Sequence, residues 1–174
     1  MPITLVEAFH AWHDFYILIG TGAGALVGAM FVVASIGSSL LTEASAPQIR
    51  AFLTPTVIHL STVLLGCALT TVPSLEWPAA SVGFGIGGGA GLVYSATIGL
   101  HIARRPVEFS DRIWYGLVPT LGYGVILAAA LLMVPRSPRS LDALALGVVV
   151  LLVASIRNAW DLIVFFVSRS NNPG

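Results

Sequence analysis

The sequence predicts an all-α polytopic membrane protein, a bundle of five transmembrane helices, on three observations. Hydrophobic residues make up 56% of the 174 positions and charged residues 9%, whereas a soluble domain carries about 25% charged residues. A chain so poor in charge cannot cover a water-facing surface. Apolar stretches recur between residues 14 and 167, each near the ~20 helical residues that cross a ~30 Å hydrocarbon core. Prolines and arginines punctuate those stretches. With a mean hydropathy of +0.91, residues 1–174 form a single membrane domain with no room for a separate soluble one.

The elements follow in order. Residues 4–13 read as a short helical turn at the interface, with Thr4 and Glu7 as a capping box. The N-terminus lacks a positive region and a small-residue cleavage site, so the first helix is expected to be retained. TM1 covers residues 14–41. TM2 covers 52–72, with Pro55 in its first turn and Pro73 at its end. TM3 covers 79–103, opened by Pro78 and closed by Arg104, Arg105 and Pro106. TM4 covers 112–134, capped by Ser110 and Asp111 and stopped by Pro135. TM5 covers 141–167, with Ser140 as N-cap. The tail, 168–174, is expected to fray.

All eight cations are arginine, and their distribution sets the orientation. The side holding the N-terminus and the TM2–TM3 and TM4–TM5 turns carries Arg136 and Arg139. The opposite side carries Arg50, Arg104, Arg105, Arg112 and Arg169. That majority predicts N-terminus out and C-terminus in. Trp12, Tyr16 and Trp77 fall at the outer boundary, Trp114 and Tyr115 at the inner one, as interfacial aromatics do. Net charge is zero and no basic run occurs, so nucleic-acid binding has no support. Cys67 is the only cysteine and reads as a small buried hydrophobe.

Two glycine ladders stand out. TM1 places Gly20, Gly24 and Gly28, and TM3 places Gly83, Gly87, Gly91, Ser95 and Gly99, at four-residue spacing. Such residues share one helix face, and without side-chain bulk two backbones approach closely. The expectation is glycine-zipper packing of TM1 and TM3 within one subunit; subunit contacts are the alternative. The stretch from Gly83 to Gly88 also satisfies G-x-G-x-x-G. A nucleotide site needs a preceding strand and a water-facing helix N-terminus, and this stretch lies inside an apolar span.

TM5 carries Arg157, Asn158 and Asp161. Arg157 and Asp161 are four apart and can pair along one face. From the cytoplasmic ends of their helices, Asp161 lies ~10 Å deep, Arg157 ~16 Å and His59 ~10 Å. TM2 shows a small or polar stripe through Thr56, His59, Thr62, Gly66 and Thr70. Tyr94 and Ser95 fall in the same half, and so does Pro119, which frees the carbonyl of Tyr115. His59, Tyr94, Arg157, Asn158 and Asp161 therefore form a candidate intramembrane polar cluster. Three readings stand side by side: a snorkelling boundary at Arg157, structural glue between TM5 and TM2, and a substrate, ion or proton path.

Other chemistry finds little support. Glu7, His10, His13 and Asp14 cluster near one face of the N-terminal run, but one helix supplies too few converging metal ligands. They read as interfacial polar residues around Trp12. His59 and His101 differ in depth by ~7–9 Å, against a haem between them. No C-x-x-C-H, G-x-S-x-G, H-E-x-x-H or P-loop occurs. No metal, cofactor or catalytic set is expected.

The segments WHDFYILIGTGAGALVG (12–28), TPTVIH (54–59) and IRNAWDL (156–162) resemble a group of small bacterial multi-pass integral membrane proteins that has no established activity. The resemblance implies a bacterial inner membrane and the five-helix layout, and no residue role. The leading expectation is a non-catalytic accessory or interaction subunit, in the bilayer with another membrane protein. The competing one is a homo-oligomeric transporter or channel for ions or small solutes, using the His59, Arg157 and Asp161 cluster. A membrane enzyme or redox subunit is third.

Overall fold

The computed structural model describes residues 5–38, 46–104 and 109–170. These form α1 (Leu5–Ala11), α2 (His13–Ser38), α3 (Ala46–Thr70), α4 (Trp77–Ala103), α5 (Phe109–Arg112), a π-helical turn (Ile113–Leu117), α6 (Val118–Met133) and α7 (Arg139–Ser170). There is no strand among the described residues. Among the described residues, five stretches are long and apolar enough to cross a membrane: His13–Ser35, Leu53–Thr70, Trp77–Ala103, Phe109–Met133 and Arg139–Val164. The protein is thus all-helical and multi-pass.

The ends differ from expectation where capping chemistry was ambiguous. α3 starts at Ala46, which puts Pro55 inside the helix rather than in its first turn. α4 begins at Trp77 with Pro78 in its first turn and Glu76 at the N-cap; proline suits that position because its missing N–H would be unpaired there anyway. Residues 109–133 are continuous from Phe109, so Ser110 and Asp111 lie inside the helix rather than capping it. Ser140 is likewise not an N-cap. It sits in the first turn of α7, is fully buried, and its hydroxyl donates to the Ser137 carbonyl at 2.7 Å. Thr4, the end of TM1 at 39–41, Arg105 with Pro106, and 171–174 lie outside the described residues.

The α6–α7 turn is closed by Arg136 N–H on Met133 O (3.0 Å) and Ser137 N–H on Leu132 O (3.0 Å). This pair of bonds is a Schellman closure. Arg136, at φ 56°, occupies the left-handed position that usually belongs to glycine.

The extensive contacts run α2 on α3, α3 on α7, α7 on α6 and α6 on α4, with α2 also reaching α7. α6 and α7 form the centre. The spans containing them are 44% and 50% buried, while those of α2 and α4 are 17% buried each and form the rim. Tyr16 donates to the Leu141 carbonyl (3.3 Å) and pins α2 to α7. Ser81 donates to the Ala130 carbonyl (2.8 Å) and pins α4 to α6.

The glycines serve these seams rather than one TM1–TM3 zipper. In α2, a Cβ on Gly20 would sit 2.9 Å from Cys67 Cβ and one on Gly24 3.7 Å from Leu64, both on α3. In α4, Gly83 faces Leu69 of α3, Gly91 faces Tyr123, and Gly99 meets Gly116 (3.2 Å to its Cα). A Cβ on Gly28 or Gly87 meets nothing within 4 Å. Two glycines outside the ladders do comparable work. Gly88 admits the Leu127 backbone (2.8 Å from a Cβ to N), and Gly147 admits Ile126 and the Gly122 carbonyl. Four-residue spacing fixes the face a helix offers, and the neighbour is decided by the whole bundle.

Candidate functional site

Among the described residues, two groups of polar side chains lie at different depths. The first lies where α3, α4 and α6 meet. His59 Nδ1 lies 2.9 Å from Tyr123 Oη, and Tyr123 Oη lies 3.2 Å from Thr62 Oγ1. Thr62 Oγ1 in turn lies 2.9 Å from the Ile58 carbonyl oxygen. A hydroxyl has one proton, so two proton orders satisfy this chain. With the Thr62 proton on the Ile58 carbonyl, Tyr123 donates to Thr62 and His59 Nδ1–H donates to Tyr123; with the Thr62 proton on Tyr123, Tyr123 donates to His59 Nδ1 and the ring carries its proton at Nε2. Tyr94 stands edge-on to the imidazole, ring centroids 6.3 Å apart. His59 is 1% exposed and Tyr123 fully buried.

The sequence brings Tyr123 here through Gly91. A Cβ at that position would overlap Tyr123 ring atoms, so only glycine lets the ring lie against α4 and its hydroxyl reach α3. Ser95, one turn further along α4, is buried and donates to the Leu92 carbonyl at 3.2 Å.

The second group lies where α7 meets the π-helical turn. Arg157 donates to Asp161 Oδ1 along α7, and Tyr115 Oη donates to Asp161 Oδ2 at 3.2 Å. Pro119 lacks an N–H and cannot donate to the Tyr115 carbonyl. The backbone ahead of it widens into the π turn, with Val118 N–H on Ile113 O. Gly116 lies against Gly99 there, and Thr120 donates to the Gly116 carbonyl at 2.7 Å. The widened turn carries Tyr115 to Asp161. Irregular helical turns of this kind are frequent at functional sites.

The five residues expected to cluster thus separate. His59 and Tyr94 are together, Arg157 and Asp161 are together, and Tyr123 and Tyr115 connect each pair to α6 and the turn before it. Tyr115 and Tyr123 are eight residues apart in one helical run, ~12 Å along its axis, so the two groups occupy different depths. The Arg157 and Asp161 side chains are 39% and 29% exposed on the bundle surface, whereas His59 is buried within it.

Asn158 belongs to neither group. It is 1% exposed, on the face of α7 turned to the bundle, and both Oδ1 and Nδ2 lack a hydrogen-bond partner. Such a group costs about 1–3 kcal/mol relative to a paired one. Sequence reading missed Tyr123 and the role of Tyr115, because an aromatic ring inside an apolar span reads as core or as interface belt. Gly91 opposite Tyr123 was the available signal.

Among the described residues, no group of three or more His, Cys, Asp or Glu side chains could hold a metal ion. The fold and these groups define an integral, multi-pass helical membrane protein with a buried polar interior. No known protein family, curated protein or solved structure matches the chain.

Proposed function

We propose that this protein is an accessory or interaction subunit of a bacterial inner membrane, without catalysis of its own, with N-terminus out and C-terminus in. The His59–Tyr123–Thr62 chain carries the reading. Its donors and acceptors are matched to one another within the bundle, which is what structural polar glue in a membrane requires. The arginine asymmetry supports the orientation, and the resemblance of three segments supports the compartment. Partner contact is assigned to the outer face of α4. Val82, Ile86 and Val93 are exposed there, and Gly89, on the same face, leaves open space, as close helix approach in lipid requires.

Native mass spectrometry of gently extracted protein tests this. The expected result is a second chain at fixed stoichiometry, lost in Gly89→Leu while the melting temperature is kept. A homo-oligomer with no second chain overturns it. A second reading, translocation of an ion or small solute by a homo-oligomer, draws on Asn158, whose unpaired amide suits a polar path. It predicts flux in proteoliposomes that Asp161→Asn and His59→Ala abolish without loss of folding. Unchanged flux with a lowered melting temperature rejects it.

A further inference from the structure

The bundle end that holds the N-terminus carries an open cleft of about 200 Å³ between α1, the head of α2 and the α3–α4 turn. Phe9 and Leu75 line its apolar part; His10, His13, Thr70 and Thr71 line its polar part. The adjoining rings of Trp12, Phe15 and Tyr16 stack edge-on or tilted, 5.1–6.2 Å apart. Tyr16 is buried in the bundle, while Trp12, half-buried beside the cleft, is the kind of ring that marks the headgroup level of a bilayer.

The two polar walls have opposite character. On the α3 wall, Thr70 donates to the Cys67 carbonyl (2.7 Å) and Thr71 to the Ala68 carbonyl (2.8 Å). Their hydroxyl protons are engaged, so they offer the cleft lone pairs only. The backbone N–H groups of Thr71, Val72 and Leu75 are bonded within the turn, and Pro73 has none. This wall is also the C-terminal end of α3, the negative pole of its dipole. It favours a cation that donates. On the facing wall, His10 and His13 are exposed imidazoles, each with an N–H to donate. That wall suits an anionic oxygen.

From this pairing of an acceptor wall, a donor wall and an apolar floor at headgroup level, we infer that the cleft binds the headgroup of a primary-amine phospholipid. The ammonium sits at the Thr70 and Thr71 oxygens, the phosphate at His10 and His13, and the start of the acyl region over Phe9 and Leu75. A choline headgroup carries the same charges but no N–H, and a glycerol headgroup carries no cation. The chemistry therefore discriminates among lipids with the same acyl chains.

The test is native mass spectrometry of delipidated protein titrated with phosphatidylethanolamine, phosphatidylcholine and phosphatidylglycerol of identical chains. The expected result is about tenfold tighter retention of phosphatidylethanolamine, the scale of one hydrogen bond to a charged group. Thr70→Val/Thr71→Val should reduce that preference to parity. His10→Ala/His13→Ala should weaken all three lipids together. Both variants are checked for an unchanged melting temperature, and Thr71→Val alone, at an exposed position, serves if the double variant is destabilised. Equal retention of the amine and choline lipids overturns the proposal, as does a preference that survives the threonine substitutions. Phosphoethanolamine without acyl chains should not displace the lipid; displacement at equal concentration overturns a lipid as occupant.

Discussion

Tyr123 lies against Gly91 so closely that a Cβ on Gly91 would overlap the tyrosine ring. One missing side chain on α4 thus sets where the α6 hydroxyl meets His59 on α3. Overpacking a core position costs about 1–3 kcal/mol, and here it also displaces a hydrogen-bond chain. Gly91→Ala is expected to lower the melting temperature in detergent, and Gly91→Ala/Tyr123→Leu to recover part of the loss. Gly87→Ala, four residues away with open space around its Cβ, is the control and should be neutral or slightly stabilising. Equal losses at the two positions would contradict the contact.

The direction of the His59–Tyr123–Thr62 chain makes a spectroscopic prediction. With the Thr62 proton on the Ile58 carbonyl, the chain runs from His59 protonated at Nδ1, which is the expected order. Two-bond ¹⁵N–¹H correlation spectra of labelled protein should show that tautomer. An Nε2–H signal for His59 would reverse the chain. Tyr123→Phe removes the partner of the buried His59 Nδ1 and should cost about 1–3 kcal/mol. The coupling between His59 and Tyr123 in a double-mutant cycle should be about 0.6–1.7 kcal/mol, the range of interhelical hydrogen bonds in membranes.

The five spans were legible because a bilayer-length apolar run has few alternatives to a membrane helix. The partners were not. Gly20 and Gly83 sit on ladders that the sequence displays plainly, yet both face α3, Gly20 at Cys67 and Gly83 at Leu69. A ladder encodes a face and leaves the neighbour to the sum of all helix contacts. Pro119 announced a freed carbonyl at Tyr115, but a proline can kink a helix or widen it into a π turn. That choice depends on Gly116 meeting Gly99, a contact between residues 17 positions apart. The His59 stripe was visible, whereas Tyr123, its partner, looked like any apolar position in TM4.

Arg157 and Asp161 should prove energetically modest. The pair lies within one helix, four residues apart, and such pairs contribute about 0.3–0.5 kcal/mol. Arg157→Lys keeps the charge and should leave the melting temperature almost unchanged. Asp161→Asn also weakens the Tyr115 bond and should cost more, with Tyr115→Phe overlapping rather than adding to it. A large loss in Arg157→Lys would show that the guanidinium geometry, rather than its charge, holds this end of α7.

Asn158 makes the opposite prediction to most core positions. Its amide is buried with neither polar atom bonded, while of the neighbouring buried positions Ala154, Ala159 and Leu162 are apolar and Ser155 donates its hydroxyl proton to the Leu151 carbonyl. Leucine has a similar reach and no polar group to desolvate, so Asn158→Leu should stabilise the bundle by about 1–3 kcal/mol. Thermal unfolding in detergent measures this directly. Asn158→Ala removes the same unpaired groups but leaves a cavity, so it should fall below Asn158→Leu. If Asn158→Leu instead destabilises, the amide has a partner in the membrane-embedded protein. An accompanying loss of proteoliposome flux would make that partner a translocated species, and loss of the second chain in native mass spectrometry would make it part of the subunit contact.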